Sequence, residues 1–158
     1  MTTITADTPT TDLAAHCRAI AARARHAAID LAAIPGDRKA AALRAAAGRI
    51  RADAAEILAA NRLDVAAAPG FGLKPAAIDR LLLDPPRIEG IAAGVEAVAT
   101  LPDPVGELLE ESTRPNGLRV RKVRVPLGVV FFIYESRPNL TAAAAAVALA
   151  AGNAIILR

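Results

Sequence analysis

The sequence predicts an α/β protein in which a helical N-terminal region is followed by one β-α-β unit. Between residues 13 and 98, apolar residues recur at alternating steps of three and four, which is the spacing of amphipathic helices. After residue 127, the apolar runs VVFFIY and AIIL are separated by a polar turn and an alanine-rich segment. A strand, a helix and a second strand in that order are typical of a parallel pair.

Composition limits the classes of protein that need to be considered. The chain has 158 residues, of which 54% are apolar but only 3% aromatic, so we expect one helix-rich region with a small α/β piece. A net charge of +3 is too mild to indicate nucleic acid binding. One cysteine excludes an internal disulfide and fits a reducing cytoplasm. The polar start is no secretory signal, and no apolar run is long enough to span a membrane, so we predict a cytoplasmic location.

The helical region is predicted to cover residues 10–117, after a disordered tail over residues 1–9. Thr10 or Thr11 caps the first helix, and Pro35-Gly36 ends it. Its apolar stripe is Leu13, Cys17, Ile20, Ala24, Ala27 and Leu31. Because Cys17 lies on this stripe, we interpret it as a buried structural cysteine. His16 and His26 are not at metal-ligand spacing with other ligands, so no metal site is predicted.

Three further helical segments follow in this region. Asp37 is placed to cap a stretch whose stripe runs through Leu43, Ala47, Ile50, Ala54 and Ile57. A turn at residues 69–72 precedes a short helix over residues 75–82. Asp84-Pro85 begins a helix with a stripe of Ile88, Ile91, Val95 and Val98, since proline suits the first helical position. Residues 100–117 hold three prolines and two glycines, which predicts an irregular connection.

The segment LRVRKVRV, within residues 118–126, alternates apolar and basic residues and predicts a strand. The apolar parity changes between Val120 and Val123, which predicts a bulge or strong twist near Arg121-Lys122. A run of basic residues could indicate nucleic acid. No aromatic residue is interleaved with it and both faces carry charge, so a solvated ribbon is the better interpretation.

The β-α-β unit is predicted over residues 127–158. VVFFIY reads as a strand that is apolar on both faces, as in a buried parallel sheet, and AIILR as a second buried strand. Asn139 is a preferred cap for a helix over residues 140–151, which Gly152-Asn153 ends in left-handed backbone. Ligands of open α/β sheets bind at the carboxyl ends of strands, where the next helix presents free N–H groups. Neither a GxGxxG motif nor a P-loop occurs.

Three segments of the sequence are more specific than this pattern. RVPLG, IYESRPN with the following threonine, and GNAIILR resemble the gamma-glutamyl phosphate reductase (glutamate-5-semialdehyde dehydrogenase) family of the aldehyde dehydrogenase superfamily. ILAANRLDVAAA and GLKPAAIDRLLLDPP agree upstream, so the resemblance covers residues 12–158. Ordinary aldehyde dehydrogenases carry Pro-Trp-Asn where this chain has the ESRPN turn, which makes them the weaker match.

The resemblance implies reduction of L-glutamate 5-phosphate with NADPH to the semialdehyde, a step toward proline. In that mechanism a cysteine thiolate attacks the acyl phosphate, phosphate leaves, and hydride reduces the thioester. Asn139 matches the asparagine that stabilises the oxyanion, and Ser136, Arg137 and Arg158 match positions that contact the cofactor. The resemblance also implies that residues 118–126 form an oligomerisation segment of a homo-oligomer, and that residues 127–158 begin an aldehyde-dehydrogenase-like dinucleotide-binding domain.

Two departures from the family keep alternatives open. Phe131-Phe132 stands where the family has a small and an aliphatic residue. The sequence stops at Arg158, so we expect a truncated fold without the catalytic domain and its cysteine, and a chain that is inactive by itself and tends to aggregate. A stand-alone oligomerising or nucleotide-binding remnant without catalysis stays possible, as does part of a generic aldehyde dehydrogenase. Asn139 as a cap only, Glu135–Arg137 as an ordinary polar turn and Arg158 as a solvated terminus are the corresponding structural interpretations.

Overall fold

A computed structural model describes residues 12–135 and 137–158 of the chain. The predicted disordered tail, the two threonines proposed as caps, and Ser136 lie outside the described residues. The helices are α1 (Leu13–Ala32), α2 (Gly36–Ala52), α3 (Ala54–Ala67), α4 (Pro75–Leu81), α5 (Pro85–Ala99) and α6 (Pro138–Ala150), with a 3-10 turn at Ala68–Phe71. The strands are β1 (Leu108–Thr113), β2 (Arg119–Val123), β3 (Val129–Phe132) and β4 (Ala154–Leu157). A helical region followed by a β-α-β unit is confirmed.

The core lies where α2, α5 and α6 pack together. Leu43 and Ala47 of α2 meet Ala92 and Val95 of α5, and Ala146 of α6 closes the cluster. Small alanine side chains let the helix backbones approach closely, while the longer Leu and Val side chains fill the space between them. The helical stripes predicted for α2 and α5 are therefore the ones that the fold buries.

Charged side chains reinforce the contact between α2 and α5. The Arg51 guanidinium donates hydrogen bonds to the carboxylates of both Glu89 and Glu96, at nitrogen–oxygen distances of 2.6–3.2 Å. Lys39 is almost wholly buried, and its Nζ lies 2.8 Å from Oδ1 of Asp103 beyond the end of α5. A buried ammonium requires such a partner, so this ion pair fixes the loop after α5 against the start of α2.

Several helix boundaries differ from the sequence prediction. Asp12 caps α1 by accepting hydrogen bonds from the backbone N–H groups of Ala14 and Ala15. α2 begins at Gly36 after Pro35, so Asp37 lies inside the helix and is not its cap. The stripe predicted to run on to Ile57 is divided at Asp53, where α2 ends and α3 begins. Periodicity alone did not reveal this break because the apolar spacing continues across it.

The prediction of a buried Cys17 was wrong, because this side chain is exposed. Leu13 is exposed too, as are all residues from 13 to 19, and α1 packs against β4 through its later part. Ala28 is the buried residue of this helix. The first part of the predicted stripe thus has no described element packed against it.

β1 and β2 form an antiparallel hairpin, so the prediction of an irregular connection over residues 100–117 was wrong at β1. Asn116-Gly117 makes the turn, with Gly117 in left-handed backbone at φ +84°. Asn-Gly between two alternating segments is a strong hairpin signal that sequence reasoning missed. The register irregularity lies between Leu108 and Glu110 of β1, not within β2 as predicted.

Three arginines in and just after β2 are paired with glutamates of the hairpin. Arg119 and Arg121 both bind the Glu111 carboxylate, at 2.6 Å each, and Arg124 binds Glu107 at 2.8 Å. These arginines hold the pKa of Glu111 below its usual value, against a smaller opposing effect of burial. Every residue of β2 is exposed, as expected for a solvated ribbon.

β3 and β4 pair in parallel, with Val129 opposite Ala154 and Phe132 opposite Leu157. Gly152, at φ +72°, ends α6 in the predicted left-handed backbone and packs against Pro126. The prediction that β3 is buried on both faces was wrong. Its even-numbered residues are half-buried, but Phe131 is 59% exposed and Ile133, just beyond the strand, 69%. Helices α1 and α6 cover one face of the pair, and no described element covers the other.

Candidate functional site

The candidate site lies at the carboxyl end of the strand pair. The Arg158 N–H donates to the Phe132 carbonyl, and the Tyr134 N–H donates to the Arg158 carbonyl, at 3.0 Å each. These bonds continue the parallel ladder past both strands and hold the start of the turn beside the end of β4. The Arg158 side chain is exposed there.

The turn leads into α6 without a side-chain cap among the described residues. Arg137 is the N-cap residue, and Pro138 occupies the first helical position, where a missing N–H costs nothing. Asn139 therefore lies within the first turn of α6 and is not its cap, which corrects the sequence prediction. Its side chain is exposed and not committed to capping, so its amide is available to a ligand.

Asn139 opens onto a groove of about 620 Å³ between α4, α5 and α6. This volume is within the range of sites for small ligands. The apolar wall includes Ile91, Val95, Val98, Ala143 and Val147. Three arginines line the groove against a single acidic residue, Asp79, so the lining has a net positive charge.

The three arginines of the groove differ in what holds them. Arg87 donates to the Asp79 carbonyl, to the Asp79 carboxylate at 3.0 Å and to the Leu82 carbonyl at 2.7 Å, so it fixes the end of α4 against α5. Arg80 and Arg137 are exposed, and neither makes an ion pair with a described residue. These two are the cations that the groove offers to an anion.

The sequence of this chain is similar to those of proteins named gamma-glutamyl phosphate reductase. No protein-family model matches the chain. Gamma-glutamyl phosphate reductase of Rhizorhabdus wittichii is 61% identical over 137 residues, which are 87% of this chain and 32% of that protein. The protein of the same name from Paramagnetospirillum magneticum is 54% identical over 148 residues, which are 94% of this chain and 35% of that protein.

Solved structures agree with the sequence matches. Crystal structures of gamma-glutamyl phosphate reductase from Thermotoga maritima and Saccharomyces cerevisiae each match with a TM-score of 0.83, at 40% and 34% identity. The match covers 87% of this chain and 33% of the first structure, and 88% and 35% for the second. The chain corresponds to the N-terminal portion of gamma-glutamyl phosphate reductase. It spans about a third of the length of the curated relatives it matches.

The structure brings only some of the candidate residues together. Asn139 and Arg137 line one groove, whereas Arg158 lies at the end of β4 and does not line it. Ser136 lies outside the described residues. Cys17 is on the exposed part of α1 and does not line the groove either. The groove therefore presents an amide and two arginines to a ligand, and no thiol of the described residues lines it.

Sequence reasoning missed two features of this site. Arg80 lies within GLKPAAIDRLLLDPP, a segment quoted for the resemblance, but helical spacing gave no sign that it reaches the groove. Tyr134 stacks on Phe132 with ring centroids 5.7 Å apart, and its hydroxyl lies 2.5 Å from Oγ1 of Thr141. The threonine after IYESRPN was the only signal for this second contact.

Neither a membrane-spanning helix nor a cluster of metal ligands is seen in the part of the chain that the structure describes. No helix there is long and apolar enough to cross a membrane. Over the same residues, no three His, Cys, Asp or Glu side chains gather as metal ligands would.

Proposed function

We propose that this chain is the N-terminal part of an enzyme that reduces L-glutamate 5-phosphate to L-glutamate 5-semialdehyde with NADPH, a step of proline synthesis. The observation that carries the proposal is the position of Asn139. Its amide is exposed in the first turn of α6 and lines a groove that also presents Arg80 and Arg137. The names of the relatives support reduction of a gamma-glutamyl phosphate, whereas NADPH and the semialdehyde product rest on the family resemblance of the sequence. The groove offers an amide and two cations to such a substrate.

The groove suits an acyl phosphate that also carries a carboxylate. Arginine guanidinium groups bind carboxylate and phosphate oxygens through charge-assisted hydrogen bonds. The free N–H groups and the dipole of α6 favour negative charge at the same end of the groove. In the reaction, the Asn139 amide would donate to the oxygen that becomes negative when the acyl carbon is attacked. One such donor contributes about 3 kcal/mol to transition-state stabilisation.

The strand edge is where we place NADPH, which supplies the hydride. Ser136, Arg137 and Arg158 are the residues proposed to contact it. The support is the exposed guanidinium groups of Arg158, just after β4, and of Arg137, at the start of α6, since cationic side chains near this edge suit phosphate and ribose groups. Phe131 is the last residue but one of β3 and is 59% exposed. It is therefore a candidate neighbour of the cofactor.

The nucleophile has to come from outside these 158 residues. Cys17 is their only cysteine, and it is exposed on α1 and absent from the groove. We therefore propose that the 158-residue chain by itself has no reductase activity. We also propose that the β1–β2 hairpin contributes to a homo-oligomer in the complete enzyme, because its apolar residues Leu108, Val120 and Val123 are exposed.

The experiment is a hybrid reductase in which these 158 residues are joined in frame to the remaining part of the Rhizorhabdus wittichii relative. The hybrid is expected to oxidise L-glutamate 5-semialdehyde with NADP⁺ and phosphate, which is the reverse reaction and avoids the unstable acyl phosphate. The 158-residue chain alone should show no turnover. A well-folded hybrid that oxidises simple aldehydes without requiring phosphate would contradict the proposal and indicate a generic aldehyde dehydrogenase.

A further inference from the structure

Three hydrogen bonds tie down the turn that carries Asn139, and one of them is made by side chains alone. The Tyr134 hydroxyl and Thr141 Oγ1 are 2.5 Å apart and bridge the end of β3 to the first turn of α6. The Tyr134 N–H bonds the Arg158 carbonyl, and the Leu140 N–H bonds the Arg137 carbonyl, at 3.0 Å each. The Tyr134 side chain therefore links the end of β3 directly to the first turn of α6.

This bridge matters because few hydrogen bonds between described residues hold the start of α6. The N-cap residue, Arg137, makes no capping hydrogen bond with a described residue, and Pro138 and Asn139 follow it directly. Pro138 and Leu140 are partly buried, whereas Arg137, Asn139 and Thr141 are exposed. Tyr134, by contrast, is half-buried, stacks on Phe132 and is bonded to the end of β4. Tyr134 therefore connects the strand pair to the start of α6.

We propose that Tyr134 and Thr141 are positioning residues that set the place of the Asn139 amide relative to the strand edge. The inference rests on the proposed function for its kinetic consequence. A transition-state donor must be held within about 0.5 Å of its productive position, and a supporting hydrogen bond helps to keep it there. Neither residue needs to touch the substrate for this role.

The test is a double-substitution cycle in the hybrid reductase. Tyr134→Phe and Thr141→Val each remove one partner, and each is expected to lower kcat roughly five- to tenfold while KM for the semialdehyde changes less than about twofold. Because both changes break the same bond, the double variant should be no slower than either single one. Thr141→Ser keeps the hydroxyl and should retain the parent kcat.

Thr100→Val is the matched control. Its hydroxyl donates to the Ala97 carbonyl at the end of α5, away from the turn. Losing that bond should lower the melting temperature without lowering kcat, which separates a loss of stability from a loss of position. If Tyr134→Phe and Thr141→Val multiply in their effects, or if Thr141→Ser is as slow as Thr141→Val, the proposal is wrong.

Hydrogen exchange keeps this proposal separate from the proposed function. Amide exchange over residues 139–145 should be faster in Tyr134→Phe and in Thr141→Val than in the parent or in Thr100→Val, whether or not the hybrid is a reductase. Unchanged exchange in this segment would overturn the positioning role even in an active enzyme. If the hybrid has no reductase activity but exchange is still faster in Tyr134→Phe and Thr141→Val, the proposed function is contradicted and the role of the bridge is supported.

Discussion

The helical core and the strand pair differ in how they use their apolar residues. In the contact between α2 and α5, Leu43 and Val95 are each only 3% exposed. The Arg51 guanidinium there donates hydrogen bonds to both Glu89 and Glu96. In β3, the alternate residues Val129 and Phe131 face outward, with no described element over them. Helices α2, α5 and α6 form a packed core, whereas the strand pair leaves Val129 and Phe131 exposed.

This difference separates the part of the chain that supports the candidate site from the part that carries most of its residues. Apart from Arg80 of α4, the residues proposed for the reaction lie at the open end, in the turn before α6, in its first turn and at the end of β4. The closed helical unit provides one wall of the groove through α5 and a base for α6. A rigid support beneath an exposed loop is the usual arrangement for a binding site.

Truncation of an apolar side chain should show the contrast most strongly. Leu43→Ala removes a buried side chain from the core and is expected to lower the free energy of unfolding by about 3 kcal/mol. Phe131→Ala removes a larger side chain that is mostly in water, so it should cost less than about 1 kcal/mol. Urea unfolding of the parent and both variants measures this difference. Equal losses would mean that β3 is as well packed as the core.

The ion pair of Lys39 and Asp103 should be the next largest contributor. Asp103→Asn leaves the buried ammonium without its counter-charge and is expected to cost about 2 kcal/mol at pH 7. Burial raises the pKa of Asp103, but hydrogen bonds from Lys39 and the Val105 N–H outweigh it, so the pKa is lower than usual.

A lowered pKa gives this pair a definite pH dependence. The Asp103 carboxylate stabilises the folded state above its ordinary pKa, and this contribution is lost as the pH falls through the lowered value. Unfolding measured from pH 7 to pH 3 should therefore show a steeper acid loss in the parent than in Asp103→Asn. Parallel curves for the two proteins would show that the pair does not stabilise the fold.

The smallest expected effect concerns the groove. Arg80→Gln in the hybrid reductase should raise KM for L-glutamate 5-semialdehyde about fivefold, because the variant loses a charge-assisted hydrogen bond to the anionic substrate. KM for a simple aldehyde without a carboxylate should stay the same. Arg62→Gln is the control, since Arg62 is an exposed arginine of α3 that does not line the groove. A rise in KM for both aldehydes would indicate general damage to the groove.

Local signals in the sequence accounted for much of the fold. The caps and stripe of α5, the short α4, and Gly152 after α6 follow from residues within the element itself, and the structure has them. The β-α-β order was also predictable, because two apolar runs about twenty residues apart allow little else. Specific sequence segments such as ESRPN indicated the family that the comparisons then supported.

What the sequence did not reveal depended on tertiary contacts. Cys17 sits on a perfect helical stripe, yet nothing described packs against that part of α1. The exposure of Phe131 was equally invisible, because an apolar run looks the same whether or not a neighbouring element covers it. Arg80 and Thr141 reach the site through folding alone, since α4 and α6 are far apart in the chain. The side-chain roles of Asn139, Arg137, Ser136 and Arg158 stay predictions.

The central claim is that the exposed Asn139 amide acts on the reacting group. Asn139→Ala in the hybrid reductase measures this most directly, with kcat and KM determined separately for L-glutamate 5-semialdehyde. We expect kcat to fall about 100- to 1000-fold with little change in KM, because the amide would act mainly in the transition state. An unchanged kcat in a folded variant would contradict the account and leave Asn139 as an ordinary surface residue of α6.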